Sequence, residues 1–324
     1  MTRVLTAGLS YGGVPMDAGP EALGELRRSD DIGSEDIGAL RERMAEDGYL
    51  FLPGRLCRDE VLAARREVLR RLADSGVVDA VNHDPMAGVV RPGVPIAFAP
   101  NLARDNAPLL KVVYDGPMIA FYEGFLGGRV RHFDYTWFRA KTPGPGTMTQ
   151  PHYDIVYMGR GTTNLWTSWT PLGDVPYDHG GLIVLEGSHR LDELRRTYGA
   201  TDVDKYCEND GDAGRIVRAA QAEGRELTPE ERRSIRWESR GSYGADAVAA
   251  RRELGGRWLT AEYRAGDLLV LSMYTMHASS DNRSERIRLS ADTRYKLASE
   301  PVDERWIGDD PPLHGIRAKR ALIC

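Results

Sequence analysis

The stretch Gln150-Pro151-His152-Tyr153-Asp154 sets an imidazole and a carboxylate two residues apart, and a second imidazole, His277, follows more than a hundred residues later in Met273-Tyr274-Thr275-Met276-His277-Ala278-Ser279. On a strand, residues i and i+2 point to the same face. His152 and Asp154 are therefore expected to grip one metal ion, with His277 closing the site. Two imidazoles and one carboxylate on one face leave the other coordination positions open, the donor set of a mononuclear non-haem Fe(II) centre. A His-x-Asp pair also occurs by chance, and a surface or hydrogen-bonded histidine is the plain alternative for His152.

Arg288 follows His277 by eleven residues, across the turn-forming run Asp281-Asn282-Arg283-Ser284. From Arg286 to Tyr295 the sequence alternates. Ile287, Leu289, Ala291 and Thr293 fall on one face of a strand, and Arg288, Ser290, Asp292 and Arg294 on the other. A charged strand face usually lies in water. Alternatively it lines the mouth of a β-core, where Arg288 makes a bidentate pair with a carboxylate and Asp292 and Arg294, on the same face, touch a polar substrate.

The chain has 324 residues, is 41% hydrophobic and carries a net charge of −5. This length allows one large β-core with surrounding helices as a single domain. There is no basic run that would neutralise a phosphate backbone, which argues against nucleic acid as a partner. There is no apolar stretch of about 18 residues to span a membrane, and no signal peptide is apparent at the start. Cys57, Cys207 and Cys324 are widely spaced without a C-x-x-C pair, which argues against a disulfide framework and a thiolate metal site. A cytoplasmic protein is expected.

Residues 1–33, rich in Gly, Pro and Asp, read as a loosely ordered arm. Ser34 is the expected N-cap of a short helix through Leu40 and Met44, with Glu35 and Asp36 in its first turn. Tyr49 to Leu52 reads as a strand closed by Pro53-Gly54. Residues 58–74 carry Val61, Leu62, Val68, Leu69 and Leu72 at helical spacing. Residues 78–107 are irregular, 130–139 read as a strand, and 141–148, with two Pro and two Gly, as a loop. Further strands are expected at 155–158, 163–170, 182–185, 258–263, 268–274 and 286–295. Short strands with Gly-rich turns predict a sandwich or barrel. The polar segment 190–256 interrupts them as a helical insertion, with Thr228-Pro229-Glu230-Glu231 as a capping box and a proline at the first helical position. Its Tyr198, Tyr206, Trp237 and Tyr243 suit either a lid or a small core of the insertion's own.

The ordered set Pro151-His152-Tyr153-Asp154, Trp169-Thr170-Pro171-Leu172-Gly173-Asp174, Gly180-Gly181-Leu182-Ile183-Val184-Leu185-Glu186-Gly187-Ser188-His189-Arg190, Gly266-Asp267-Leu268-Leu269-Val270 and His277-Ala278-Ser279 resembles the phytanoyl-CoA dioxygenase family. The resemblance runs over about residues 35–296, with the insertion poorly matched. It implies a mainly β fold with flanking helices (α+β), built on a double-stranded β-helix, or jelly roll. It implies a dioxygenase dependent on Fe(II), 2-oxoglutarate and O2, releasing succinate and CO2. His152, Asp154 and His277 would hold iron. Arg288 would pair with the distal carboxylate of 2-oxoglutarate, helped by Ser279, while Tyr135 and Trp169 match pocket positions that also suit plain aromatic packing.

Related halogenases have a small residue in place of Asp154, so its carboxylate implies hydroxylation, or else desaturation, epoxidation or cyclisation, of a small metabolite in specialised biosynthesis. A non-catalytic jelly-roll binding module is the alternative of another class. His189 belongs to the family's turn after a strand and is expected to be structural. His132 and His179 have no partner spacing, and Asp210-Gly211-Asp212 lacks the Gly and Glu of a calcium loop.

Overall fold

Val, Ile, Leu and aromatic residues concentrate in short runs along this chain, and in the computed structural model, which describes residues 8–33, 35–204, 212–234 and 241–314, most of these runs pair into two facing sheets. The chain enters through β1 (Ser10–Tyr11), β2 (Val14–Pro15) and β3 (Leu23–Glu25). It continues through α1 (Ile37–Asp47), β4 (Tyr49–Leu52), α2 (Arg58–Asp74), α3 (Ala107–Tyr114) and α4 (Gly116–Leu126). Then come β5 (Val130–His132), β6 (Trp137–Lys141), α5 (Ile155–Met158), β7 (Trp166–Pro171) and β8 (Leu182–Leu185). The insertion carries α6 (Asp192–Arg196), α7 (Asp212–Ala222), α8 (Pro229–Ser234) and α9 (Ala247–Leu254), and β9 (Trp258–Thr260), β10 (Leu268–Ser272), β11 (His277–Ser279) and β12 (Arg288–Leu297) complete the core.

The larger sheet runs β4-β10-β7-β12-β5, with β6 also paired to β12, and the smaller runs β11-β8-β9-β3. Together they form an open double-stranded β-helix rather than a closed barrel. Alternation decides which side chain goes where. Along β12, Leu289, Ala291 and Tyr295 pack on the helix-covered outer face with Val61, Val68, Leu109 and Phe121. Leu182 and Val184 of β8 face inward with Trp169, Leu259 and Leu271, while Ile183 and Leu185 face out against Tyr153, Trp258 and Met276. Both faces of β8 are thus apolar, as its unbroken Leu-Ile-Val-Leu requires.

The helix of residues 58–74 forms as its spacing predicts, with Val61, Ala64, Val68, Leu69 and Leu72 buried. Each of the buried Val and Leu side chains contributes on the order of 1.5–3 kcal/mol on full burial. The N-cap of α1 is Asp36, whose carboxylate accepts from the Ala39 amide at 3.0 Å; the expected cap, Ser34, lies outside the described residues. The capping box of α8 closes in both directions, Glu231 N to Thr228 Oγ1 at 3.1 Å and Thr228 N to Glu231 at 2.8 Å.

Three expectations are corrected. Residues 155–158 form a helical turn, α5, with Asp154 already in helical geometry (φ −65°, ψ −30°). A four-residue apolar run is compatible with strand or buried helix, and pattern cannot separate them. The strand expected over 130–139 breaks at Phe133–Thr136, and its second half reaches Lys141, which was expected in a loop. The described part of the N-terminal arm is packed, not loose. Leu9, Tyr11, Met16 and Leu23 are buried, β3 pairs in parallel with β9, and the Gly12 and Gly13 amides donate to the Asp281 carboxylate at 3.0 and 2.8 Å. Both glycines have positive φ, so here glycine serves a tight turn rather than disorder. No helix among the described residues is long and apolar enough to cross a membrane.

Candidate metal centre and the cavity beside it

His152 and His277 meet across the gap between β11 and the α5 turn. Their backbones exchange hydrogen bonds, His152 N to His277 O at 3.0 Å and His277 N to His152 O at 3.1 Å, and their ring centroids lie 4.2 Å apart. Each Nδ1 faces a carbonyl two residues upstream, Gln150 O at 2.7 Å and Thr275 O at 2.9 Å. Donation to those carbonyls places the proton on Nδ1 and leaves the Nε2 lone pair free for a metal, a common way of orienting a ligating histidine. The two Nε2 atoms approach Asp154 Oδ1 at 3.6 and 3.9 Å. The three ligand atoms lie within 4.8 Å of one another, and among the described residues this is the one such group. His152 and Asp154 converge as expected, although not as strand neighbours: His152 sits on an isolated bridge to His277 and Asp154 begins a helical turn.

The two oxygens of Asp154 are differentiated. Oδ1 faces the imidazoles. Oδ2 accepts from the Thr167 hydroxyl, and Arg294 Nη2 reaches both oxygens at 3.1 and 3.0 Å. Burial, with the side chain only 1% exposed, pushes the carboxyl up, but Arg294, His277 and His152 outweigh it and hold the group well below the usual carboxylate range. Burial, then the charge of His152, pushes His277 down to about 3, so its imidazole is neutral and available as a ligand near neutral pH.

A cationic end lies on the neighbouring strands. Arg288 and Lys141 are Cα partners between β12 and β6, and both are buried. Lys141 Nζ donates to Ser279 Oγ and to Ser280 O, each at 2.7 Å. Arg288 donates through Nε to Gly180 O at 3.2 Å and through Nη1 to Ser290 Oγ, while Nη2 has no hydrogen bond among the described residues. Burial pushes Arg288 down to about 10, and burial, then the charge of Arg288, lowers Lys141 well below its ordinary value. Two buried basic side chains with no carboxylate bonded to either among the described residues suit an anionic guest, whose charge would favour their protonated forms. Ser279, two residues beyond His277 on β11, joins this cluster to the triad.

Trp169 packs at the edge of this cluster, 1% exposed, with the Arg288 guanidinium 5.8 Å above its ring. Tyr135 lies elsewhere. It lines a cavity of about 650 Å³ with His152, Asp154, Trp137, Arg139, Tyr157, Arg294 and Trp306. Arg294, expected at the substrate, bonds the metal-site carboxylate, and Asp292 accepts from Arg139 Nε at 3.2 Å. The charged face of β12 is therefore buried between the sheets, not in water. A larger cleft of about 1010 Å³ lies over Asp174, Arg58 and Asp267 and includes none of the triad.

Lys141 is the residue the sequence reading missed. Carrying the strand period two residues further would have found it, since Phe138 and Ala140 join the helix-side core and Trp137, Arg139 and Lys141 therefore share the inner face. His189 bonds Ala45 O at 3.1 Å, His132 stacks on Tyr114 and His179 sits beside Asp178; none joins the triad. Cys57 is free and exposed, while Cys207, Cys324 and the Asp210-Gly211 pair lie outside the described residues.

Two facing sheets hold two imidazoles and a carboxylate between them, the donor set of a non-haem iron oxygenase, and this set and the basic end fit Fe(II) and 2-oxoglutarate. The model of the phytanoyl-CoA dioxygenase family matches residues 44–290. The chain belongs to this family and is a non-haem iron, 2-oxoglutarate-dependent dioxygenase. Among solved structures, the fold is shared with the epimerase SnoN in complex with Fe3+, α-ketoglutarate and nogalamycin RO, at 20% identity and TM-score 0.52, over 86% of this chain and 94% of that one. It is shared with the carbocyclase SnoK from nogalamycin biosynthesis, at 17% identity and TM-score 0.52, over 86% and 89%. EctD from S. alaskensis with 2-oxoglutarate and 5-hydroxyectoine matches at 16% identity and TM-score 0.54, over 95% and 92%. No curated protein matches the chain.

Proposed function

We propose that the protein hydroxylates an unactivated C–H bond of a small-molecule metabolite, with 2-oxoglutarate and O2 converted to succinate and CO2 as the second oxygen atom enters the substrate. The observation that carries this reading is the convergence of His152, Asp154 and His277, each with a ligand atom turned inward. In this reading the three residues hold Fe(II), and the bound iron supplies the redox chemistry of O2 and co-substrate. Arg288, with its uncommitted Nη2, and Ser279 receive the distal carboxylate, and Lys141 adds a second cation. Trp169 walls this end and Tyr135 the substrate end. Asp292 positions Arg139 at the cavity.

The described parts of the segment 190–256 serve as a lid. Ser242 lines the cavity, and the Tyr243 amide donates to Pro151 O at 2.8 Å, next to His152. Tyr198 and Tyr243 also pack edge to face at 5.4 Å, so the lid carries its own small core; Tyr206 and Trp237 lie outside the described residues. A cytoplasmic location accords with free, exposed Cys57.

The test is succinate release from 2-oxoglutarate with and without Fe(II), together with the mass of the product. A gain of one oxygen supports hydroxylation, and a loss of two hydrogens would mean desaturation instead. Asp154→Ala is expected to abolish metal binding and turnover, and full turnover in that variant would refute the triad. Lys141→Met is expected to weaken 2-oxoglutarate binding about tenfold, as for loss of one charge-assisted hydrogen bond, while leaving the affinity for Ni(II) unchanged. Ni(II) binding without any succinate release from the Fe(II) protein would favour a binding module.

A further inference from the structure

The wall of the cavity beside the triad combines two features that select a guest. The first is aromatic. Phe98, Tyr135, Trp137, Tyr157 and Trp306 all line it. Trp137 packs against Tyr135 at 4.8 Å and against Trp306 at 4.6 Å. Phe98 is 47% exposed, one of few large apolar side chains so placed.

The second feature is unspent guanidinium hydrogen-bonding capacity. Arg294, 3% exposed, lies over the Trp137 ring at 4.2 Å and uses only Nη2, on Asp154. Its Nε and Nη1 are buried with no partner. A guest acceptor that reached such a donor would supply the bond it lacks. Arg139, whose guanidinium lies 5.5 Å from the Phe98 ring, donates through Nε to Asp292, and among the described residues its Nη groups have no hydrogen bond. Asp154, on the described wall, is bonded to Arg294, and Asp292, beside it, pairs with Arg139 through Oδ2, so both guanidiniums are charge-paired and what they offer a guest is free N–H groups. His314, also on the wall, is itself engaged by Asp204.

Resting on the oxygenase reading above, we infer that the substrate is a flat, ring-bearing molecule with an acidic oxygen, a carboxylate or an acidic phenol, that stacks on Trp137 and its neighbours and is received by Arg294 and Arg139. Ring faces gain from offset or edge contact with the aromatic wall, and an oxyanion gains charge-assisted bonds from the guanidiniums. A cationic guest finds no free carboxylate on the described lining and faces guanidinium N–H groups that can only donate. A linear aliphatic acid satisfies the arginines but leaves the rings unmatched.

The experiment is calorimetric titration of the full chain, loaded with Ni(II) and 2-oxoglutarate so that no turnover occurs. The probes are anthracene carboxylate, a hydroxyanthraquinone, anthracene methanol, aminomethyl anthracene and dodecanoate. The tighter of the first two is expected to bind about tenfold or more above the amine and above dodecanoate, and which of them leads identifies the oxyanion. Arg139→Gln is expected to erase most of the preference for the acid over the alcohol, and Arg139→Lys to restore part of it, with Ni(II) and 2-oxoglutarate affinities unchanged in both. Equal or tighter binding of the amine or of dodecanoate overturns the inference, as does an acid preference that survives Arg139→Gln in a folded protein. Failure of Ni(II) and 2-oxoglutarate to bind in a prior titration would instead overturn the oxygenase reading, and the probe order on the metal-free chain would still decide the cavity's preference.

Discussion

Arg294 and Asp154 form the tightest electrostatic unit of the site, 3% and 1% exposed, with the guanidinium reaching both carboxylate oxygens. Thr167 bonds Oδ2 and Arg294 bonds both oxygens, with Oδ1 also turned to the imidazoles. The arginine thus orients the Asp154 carboxylate while keeping it ionised inside the protein. Breaking a buried pair leaves an uncompensated charge, at a cost of about 3–5 kcal/mol. Arg294→Met is expected to lower stability by that order in urea unfolding of the metal-free protein, and Asp154→Asn in the same chain to restore much of it. Additive losses in the double variant would show that the two residues do not act as a unit. The identity of both residues is visible in the sequence, but their partnership is not. They lie 140 positions apart, and alternation places Arg294 on a face without saying what that face meets.

At the scale of elements, β12 is the organising strand. It pairs with β7 over Ser290–Tyr295 and with β5 and β6 on its other side. Its outer face supplies core and its inner face supplies Arg288, Ser290, Asp292 and Arg294. The alternation of 286–295 made both faces legible. Which one faced water depended on a second sheet that the alternation does not encode. The N-terminal segment misleads for the opposite reason. Its Gly and Pro content resembles that of a loose arm, yet β3 completes the smaller sheet and Leu23 is 1% exposed. Leu23→Asp is expected to destabilise by several kcal/mol, on the order of other polar substitutions at fully buried sites, read as a fall in Tm. An unchanged melting curve would indicate that the arm contributes nothing to the fold.

For the whole molecule, the buried triad couples stability to pH. His277 titrates at about 3 when folded and near 6.5 when unfolded. Between these values the unfolded chain binds a proton that the folded one does not, so stability falls as pH drops from about 6.5 towards 3, by up to ~1.4 kcal/mol per unit. Urea midpoints of the metal-free protein at pH 7.5 and 5 are expected to show this decline, and His277→Gln to reduce it. A wild-type midpoint independent of pH would contradict a neutral, buried His277. A bound metal stabilises the folded state by mass action and holds the imidazoles unprotonated, so Ni(II) is expected to flatten the same dependence.

The sequence by itself determined the donor types, their order, the two strand faces around Arg288 and the family, because these are local chemistry and motif spacing. It also placed α2, β4, β8 and the capping box of α8, where periodicity and turn chemistry act over a few residues. Only the tertiary structure decided that Asp154 enters the site from a helical turn, that Lys141 joins Arg288 and Ser279, that Arg294 serves the metal-site carboxylate, and that the arm is part of a sheet. Each of these depends on contacts between segments far apart in the chain, and local propensity yields to such packing wherever a short apolar or polar run is compatible with more than one conformation.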